Sequence, residues 1–313
     1  MALEILQVSP LPPFMMSALQ QEDYIVHDHT HIKDPGALTK VNAIVGTGAA
    51  KVDRKLLMMV PNVKLIAICG VGYDGVDVDA AKEKGIVVTH TPGVLTDDVA
   101  DLAMGLVLSI GRRIPQADKF VRNGDWVDDV FPLTHKVTGA RLGVVGMGRI
   151  GRAIAKRAAA FDMAISYTGR EAKPDVAYPY DPNLSSLAAQ VDYLVVVVPG
   201  GEGTKNLINT EVLNALGPKG YLINIARGSV VDQPVLVQAL KDKVIAGAAL
   251  DVYWDEPVVD PELRRLPNVV LTPHIASATD ETRRAMVALT MDNLRAFYQK
   301  QPLPTPVPEC AVK

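Results

Sequence analysis

Three short segments carry side chains able to hold anions or move protons. They are Asn224-Ile-Ala-Arg227-Gly-Ser, Ala249-Leu-Asp251-Val-Tyr-Trp-Asp-Glu256-Pro257 and Thr272-Pro-His274-Ile-Ala-Ser277. Histidine is the side chain whose ordinary charge change falls near neutral pH, so a residue of the type of His274 suits acid–base work. A guanidinium such as Arg227 offers a planar fork for a carboxylate or a developing oxyanion. A carboxylate such as Glu256 can fix an imidazole tautomer. Taken singly, each has a plain alternative: Arg227 as a surface cation, Glu256 as a solvated acid, His274 as a satisfied loop residue after Pro273. Each segment follows a run that reads as a strand, and ligands of open α/β sheets bind at the carboxyl ends of strands.

A fourth segment is more specific. Arg141-Leu-Gly-Val-Val-Gly146-Met-Gly148-Arg149-Ile150-Gly151 places a G-x-G-x-x-G pattern after an apolar strand and at the start of a helix. Gly146 permits the tight turn, Gly148 lets backbone approach a pyrophosphate, and Gly151 allows close helix–strand packing. The N–H groups of Arg149 and Ile150, at the helix N-terminus, would face the phosphates. Enzymes that use NADH carry an acid about 20 residues further on, for the ribose hydroxyls. Here the corresponding strand ends Thr168-Gly169-Arg170, with no carboxylate before Glu171. The missing acid removes repulsion against a 2′-phosphate, and Arg170 can bind one, so NADPH is expected over NADH. The alternative is a solvated Arg170. Val198 and Pro199, closing the next apolar run, complete the expected cofactor contacts.

The elements that must position these groups alternate along the chain. In the first hundred residues Ile5–Ser9, Ala43–Gly46, Leu65–Cys69 and Ile86–Thr89 read as strands, and Asp53–Val60 and Asp79–Lys84 as helices. Thr96 to Arg112 reads as a helix with Thr96 as N-cap and Asp97 and Asp98 in its first turn. Residues 123–138 show no clear period. A second series comes next: strands at Leu142–Val145, Ala164–Thr168, Tyr193–Val198, Tyr221–Ala226, Ala246–Val252 and Val269–Thr272, with helices at Arg149–Phe161, Leu184–Gln190, Gln233–Lys243 and Thr279–Tyr298. The Pro-rich tail, Pro302 to Pro308, reads as an extended strap. Such alternation predicts mainly parallel sheets covered by helices.

Bulk properties exclude some partners. At 313 residues the chain is long for one core and comfortable for two domains. A net charge of −3 provides no basic field for nucleic acid. The longest apolar run, Val99 to Ile110, is too short to span a bilayer and contains Asp101. The N-terminus lacks a secretory pattern, and two cysteines make no disulfide framework, so a cytoplasmic setting is expected. The terminal Cys310-Ala-Val-Lys313 outlines a prenylation box, but Lys is not a usual last residue.

Together with Val71-Gly72-Tyr73-Asp74-Gly75-Val76-Asp77 and Thr91-Pro92-Gly-Val-Leu-Thr96-Asp-Asp-Val-Ala-Asp101, these segments resemble the D-2-hydroxyacid dehydrogenase family, in its glyoxylate/hydroxypyruvate reductase branch. The resemblance runs from about Leu65 to Pro306. It implies an α/β fold of two doubly wound parallel-sheet domains: a flavodoxin-like substrate domain (1–97 with 288–313) and a Rossmann cofactor domain (98–287). A dimerisation arm lies at about 113–140, implying a homodimer. The implied reaction is NADPH-dependent reduction of a small 2-oxo acid, glyoxylate or hydroxypyruvate, to glycolate or D-glycerate. His274 would be the general acid, Glu256 its orienting partner that favours the cation, and Arg227 the holder of substrate charge. Backbone N–H groups around Val71, Gly72 and Tyr73 would cradle the substrate carboxylate; the alternative is an ordinary Gly-rich strand exit. Asp251 would contact the nicotinamide carboxamide or act as a structural cap. Thr96 would lie near the cofactor phosphates or only cap its helix. Trp126 would serve the partner subunit's active site or only anchor packing.

Two other readings stay open. A 2-ketogluconate or aryl-pyruvate reductase would share the same chemistry, and a nucleotide-sensing corepressor would share the fold without turnover. No metal is expected: His27, His29 and His31 alternate, but polar neighbours before Pro35-Gly36 read as a solvated loop.

Overall fold

Continuous apolar runs decide which strands become central. Leu65-Ile-Ala-Ile-Cys69 has every residue buried, as a strand covered on both faces must. In the computed structural model, which describes residues 3–30 and 35–311, the chain divides into two units. One is Met1–Leu95 with Thr279–Lys313, the other Thr96–Ala278.

The first unit opens with β1 (Glu4–Gln7), α1 (Pro13–Gln21), β2 (Ile25–Asp28), β3 (Ala43–Thr47), α2 (Arg54–Met59), β4 (Leu65–Cys69), α3 (Val78–Glu83) and β5 (Val87–Thr89). The five strands pair in parallel in the order β2-β1-β3-β4-β5, the flavodoxin-like arrangement. Asp53 and Asp77 cap α2 and α3, their side chains accepting from Leu56 N and Ala80 N at 2.8 Å each.

The second unit begins with α4 (Thr96–Arg112) and α5 (Ile114–Arg122). It continues through β6 (Arg141–Val145), α6 (Arg149–Ala159), β7 (Ala164–Thr168), α7 (Leu184–Ala189), β8 (Tyr193–Val196), α8 (Thr210–Leu216), β9 (Tyr221–Asn224), α9 (Gln233–Lys241), β10 (Gly247–Leu250), α10 (Pro261–Arg265) and β11 (Val269–Leu271). Its parallel sheet has the order β11-β10-β9-β8-β6-β7. Beyond β7 one parallel bridge, Tyr167 with Tyr180, stands where a Rossmann sheet has its third strand. The order therefore reverses between β6 and β8. Helix α4 runs from Thr96 itself, so the cap expected of Thr96 is the helix's first residue instead.

The chain returns to the first unit with α11 (Asp280–Tyr298), capped by Thr279, whose side chain accepts from Thr282 N at 3.2 Å. The return therefore falls at Thr279 and not at 288. One buried stripe, including Met286, Thr290, Met291 and Leu294, runs along the helix, so the helix packs as a whole. The tail then pairs with β5: Thr89 and Pro306 form an antiparallel bridge, Val307 N donates to Val88 O at 2.9 Å, and Val307 is fully buried. This strap covers what would otherwise be an open sheet edge.

Elements with weak patterns escape a reading of the sequence. Helix α1 buries only Met15 and Leu19, and β2 pairs on one side only. Consequently His27 is not in a solvated loop: it lies in β2, with Nε2 2.9 Å from Glu4 Oε2. His31 lies outside the described residues, as do Val312 and Lys313 of the terminal box. Among the described residues no group of three His, Cys, Asp or Glu could hold a metal ion, and no helix is long and apolar enough to cross a membrane.

Candidate active site

Strands β9, β10 and β11 are neighbours in the second sheet, so the loops leaving their carboxyl ends must run side by side. Those loops carry Arg227, Glu256 and His274. Gly228 tightens the first pair: a Cβ there would strike the Tyr253 carbonyl, so only glycine lets the Arg227 turn approach the 253–256 loop. Buried Asn224 shapes that turn, accepting from Ala226 N and donating to Arg227 O, both at 3.0 Å.

His274 Nδ1 lies 2.6 Å from Glu256 Oε2. The other carboxylate oxygen accepts from Tyr253 N at 2.9 Å. Burial pushes the Glu256 carboxyl up, but hydrogen bonds from His274 and the Tyr253 N–H, with the charges of His274 and Arg227, outweigh it and hold the group below the usual carboxylate range. An ionised carboxylate only accepts, so Nδ1 carries a hydrogen and Nε2 is the nitrogen left for a substrate. Burial raises the Tyr253 phenol to about 12, and its hydroxyl lies 3.1 and 2.9 Å from the carbonyls of Leu250 and Thr272. It ties the roots of the Glu256 and His274 loops together.

His274 has φ of +53°, left-handed backbone that a non-glycine residue adopts only under constraint. Asp251 supplies that constraint. Fully buried, it accepts from Thr272 Oγ1 (2.6 Å), Ile275 N (2.9 Å) and Ala276 N (2.9 Å). These bonds give the Asp251 carboxylate the capping role on the histidine loop, one of the two expected of it. Asn224, Tyr253 and Thr272 lay inside or beside the segments picked from the sequence. Their positioning roles left no signal there, because hydroxyl and amide partners are set by the fold.

On the same sheet, a cavity of about 910 Å³ opens where β6 and β8 diverge, the crevice in which such sheets bind ligands. Of the expected cofactor residues, Gly146, Gly148, Thr168, Gly169, Arg170, Val198 and Pro199 line it. Gly146 has φ of +108°, and a Cβ on Gly151 would strike the Gly146 carbonyl. A Cβ on Gly148, by contrast, would meet nothing within 4 Å, so this stretch of backbone is open to a ligand. The glycines thus divide as their spacing predicts, and the turn fits a pyrophosphate. Arg149 and Ile150 occupy the first turn of α6; they, Gly151 and Thr96 do not line the cavity. Lys173, which no sequence motif singled out, does line it beside Arg170 and Glu171. Its Nζ is 2.7 Å from Glu171 Oε1, and that bond, with the charges of Lys173 and Arg170, holds the Glu171 carboxyl below its usual range.

The remaining expected residues lie elsewhere. Val71, Gly72 and Tyr73 follow β4 in the first unit, half-buried. Among the described residues no protein acceptor takes the N–H of Val71 or Gly72. Trp126 sits in a single 3-10 turn, Asp125–Val127, and is 69% exposed. Val127, Val130 and Leu133 are exposed as well.

Comparison with known proteins agrees with this geometry. Residues 104–276 match the family described as D-isomer specific 2-hydroxyacid dehydrogenase, NAD binding domain. The chain is similar to glyoxylate/hydroxypyruvate reductase A of Arabidopsis thaliana, 44% identical over 97% of this chain and 98% of that one. It is also similar to hydroxyphenylpyruvate reductase of Plectranthus scutellarioides, 49% identical over 85% of each. The solved NADPH-dependent glyoxylate/hydroxypyruvate reductase of Sinorhizobium meliloti, in complex with NADP and malonate, superposes with a TM-score of 0.93 at 42% identity, covering 99% of this chain and 98% of that one. With a family match over more than half its length and relatives aligned almost end to end, the chain belongs to the D-isomer specific 2-hydroxyacid dehydrogenases.

Proposed function

We propose that the chain reduces small 2-oxo acids with NADPH, glyoxylate and hydroxypyruvate being the substrates and glycolate and D-glycerate the products. The observation that carries this reading is the imidazole–carboxylate pair at 2.6 Å, on a loop adjoining that of Arg227. The bound nicotinamide cofactor supplies hydride to the carbonyl carbon. His274 gives the proton from Nε2 to the carbonyl oxygen as charge builds there, and Glu256 offsets the imidazolium charge before transfer. Arg227 holds the carboxylate or carbonyl oxygen and stabilises the developing oxyanion. The Val71–Gly72 backbone offers N–H groups to the substrate carboxylate, and Tyr73 closes that loop.

NADPH is preferred because Gly169 leaves no carboxylate where a 2′-phosphate would sit, while Arg170 and Lys173 offer two cations. The exposed apolar row Trp126, Val127, Val130 and Leu133 supports a homodimer joined through the 113–140 arm, with Trp126 serving the partner's site. A cytoplasmic setting belongs to the same reading, supported by two unpaired cysteines, Cys69 and Cys310.

The deciding experiment measures kcat/KM for a panel of 2-oxo acids with NADPH and with NADH, on wild type and His274→Asn. Asparagine tolerates the left-handed backbone, so the variant removes the acid without unfolding its loop. Turnover should fall by roughly 10²–10⁴-fold with NADPH binding unchanged. Equal losses in both would remove the acid role. Highest activity on 2-ketogluconate or an aryl pyruvate would change the substrate named. NADPH binding without oxidation in wild type would leave a sensor.

A further inference from the structure

The loop after β4 is held by contacts that the proposed reaction does not use. His90, directly after β5, has Nδ1 3.0 Å from Val71 O. A carbonyl only accepts, so Nδ1 donates. The oxygen of Val71 and the N–H of Gly72 belong to one planar trans peptide group and point in opposite directions. A bond from His90 to that oxygen therefore aims the Gly72 N–H away from His90.

His90 is in turn held from the tail. Its N–H donates to Thr305 O at 3.2 Å, and its carbonyl accepts from Thr305 Oγ1 at 2.6 Å. Thr305 is pinned to α11, its N–H donating to Asn293 Oδ1 at 3.1 Å and its hydroxyl accepting from Asn293 Nδ2 at 2.8 Å. Tyr73 packs edge-on to the His90 ring, centroids 5.3 Å apart at 90°. The Tyr73 hydroxyl donates to the Glu309 carboxylate, 3.0 Å from Oε2 and 3.3 Å from Oε1. Tail residues thus hold the backbone of His90, whose ring bonds Val71, and the side chain that follows Gly72.

We infer that His90 is a positioning residue for carboxylate recognition: braced by the C-terminal strap, its ring orients the Val71–Gly72 peptide so that the Gly72 N–H meets the carboxylate of a 2-oxo acid. The inference rests on the reading of residues 71–73 as the carboxylate cradle. It predicts a defect confined to one end of the substrate. A misoriented peptide weakens carboxylate binding but leaves the acid, the guanidinium and the cofactor cavity intact.

The test uses the full chain with glyoxylate or hydroxypyruvate as substrate, comparing wild type, His90→Ala and His90→Asn. An asparagine amide places a donor near the position of Nδ1, whereas alanine supplies none. His90→Ala should raise KM for the 2-oxo acid about tenfold, the scale of one lost orienting hydrogen bond, with kcat and KM for NADPH within about twofold. His90→Asn should restore KM most of the way. Preference for glyoxylate over its neutral amide should shrink in His90→Ala by the same factor as KM rises. An unmoved KM and an unmoved acid-over-amide preference in His90→Ala overturn the positioning role while leaving the proposed reaction standing. Parallel losses in kcat, NADPH KM and melting temperature that asparagine does not rescue also overturn it, as the mark of general destabilisation. Failure of wild type to reduce any 2-oxo acid removes the cradle reading and this inference together.

Discussion

Glu256→Gln separates orientation of the imidazole from stabilisation of its charge. In wild type one carboxylate oxygen faces the Tyr253 N–H at 2.9 Å and the other faces His274 Nδ1 at 2.6 Å. Glutamine is the same shape but has one oxygen and one amino group. If its oxygen keeps the Tyr253 N–H, its amino group points at Nδ1, and protonated imidazole then meets a donor. If it flips, the amino group meets the Tyr253 N–H instead. Either way the imidazolium loses its counter-charge and a hydrogen bond is spoiled. Opposite unit charges about 4 Å apart attract by about 1 kcal/mol in water and about 4 kcal/mol at an effective dielectric near 20. The two side chains are 45% and 32% exposed, so screening places the loss toward the lower end, about 1–2 kcal/mol. That is about one pH unit. Reduction uses the protonated imidazole, so its rate is high at low pH and falls as pH rises through that ionisation. Weakening the cation moves the falling limb about one unit to lower pH, so at any pH on that limb the rate should drop about tenfold. The assay is kcat/KM against pH under saturating NADPH, where chemistry limits the rate. A falling limb that stays in place, with turnover near wild type, would refute an electrostatic role for Glu256.

Gly169→Asp should reverse the cofactor ratio toward NADH by roughly ten- to a hundredfold, because the new carboxylate repels a 2′-phosphate at close range and bonds ribose hydroxyls instead. No atom lies within 4 Å of the added Cβ, so an unchanged ratio could not be blamed on a clash and would remove the basis for naming NADPH. Asp251→Asn turns an amino group toward one of three donors on the 272–276 loop. It should cost about 3 kcal/mol, or about 6–12 °C in the melting temperature of this unit, and lower kcat more than it changes NADPH affinity. A variant with wild-type melting and turnover would show that His274 holds its left-handed backbone without that buried acid. Because the Glu256 carboxyl is held below its usual range, the pairing it provides is present above the unfolded carboxylate pKa and is lost as pH falls through the lowered folded value. A protonation signal for Glu256 in NMR should appear below the range of free glutamate, and one at or above that range would contradict the pairing.

Local patterns determined a great deal of this protein. An apolar run followed by G-x-G-x-x-G requires a strand, a tight turn and a helix, because only glycine accepts the φ of Gly146 and the contact at Gly151. Continuous apolar strands alternating with helices require buried parallel sheets. These signals are local in the chain, and local backbone chemistry is what a sequence displays. Elements that bury little, such as α1 and β2, displayed almost nothing. The consequences of strand order were decided by tertiary structure alone. Arg227, Glu256 and His274 are separated by up to dozens of residues and become neighbours because β9, β10 and β11 lie side by side. The capping contacts of Asp251 came into view in the same way. Its carboxylate has the same chemistry whether it faces a ligand or caps a loop, and only the fold shows the three N–H and O–H donors that the next strand's exit turns toward it. The grip of the strap on His90 joins residues more than two hundred positions apart, a relation that exists only once the tail has closed the edge of its sheet.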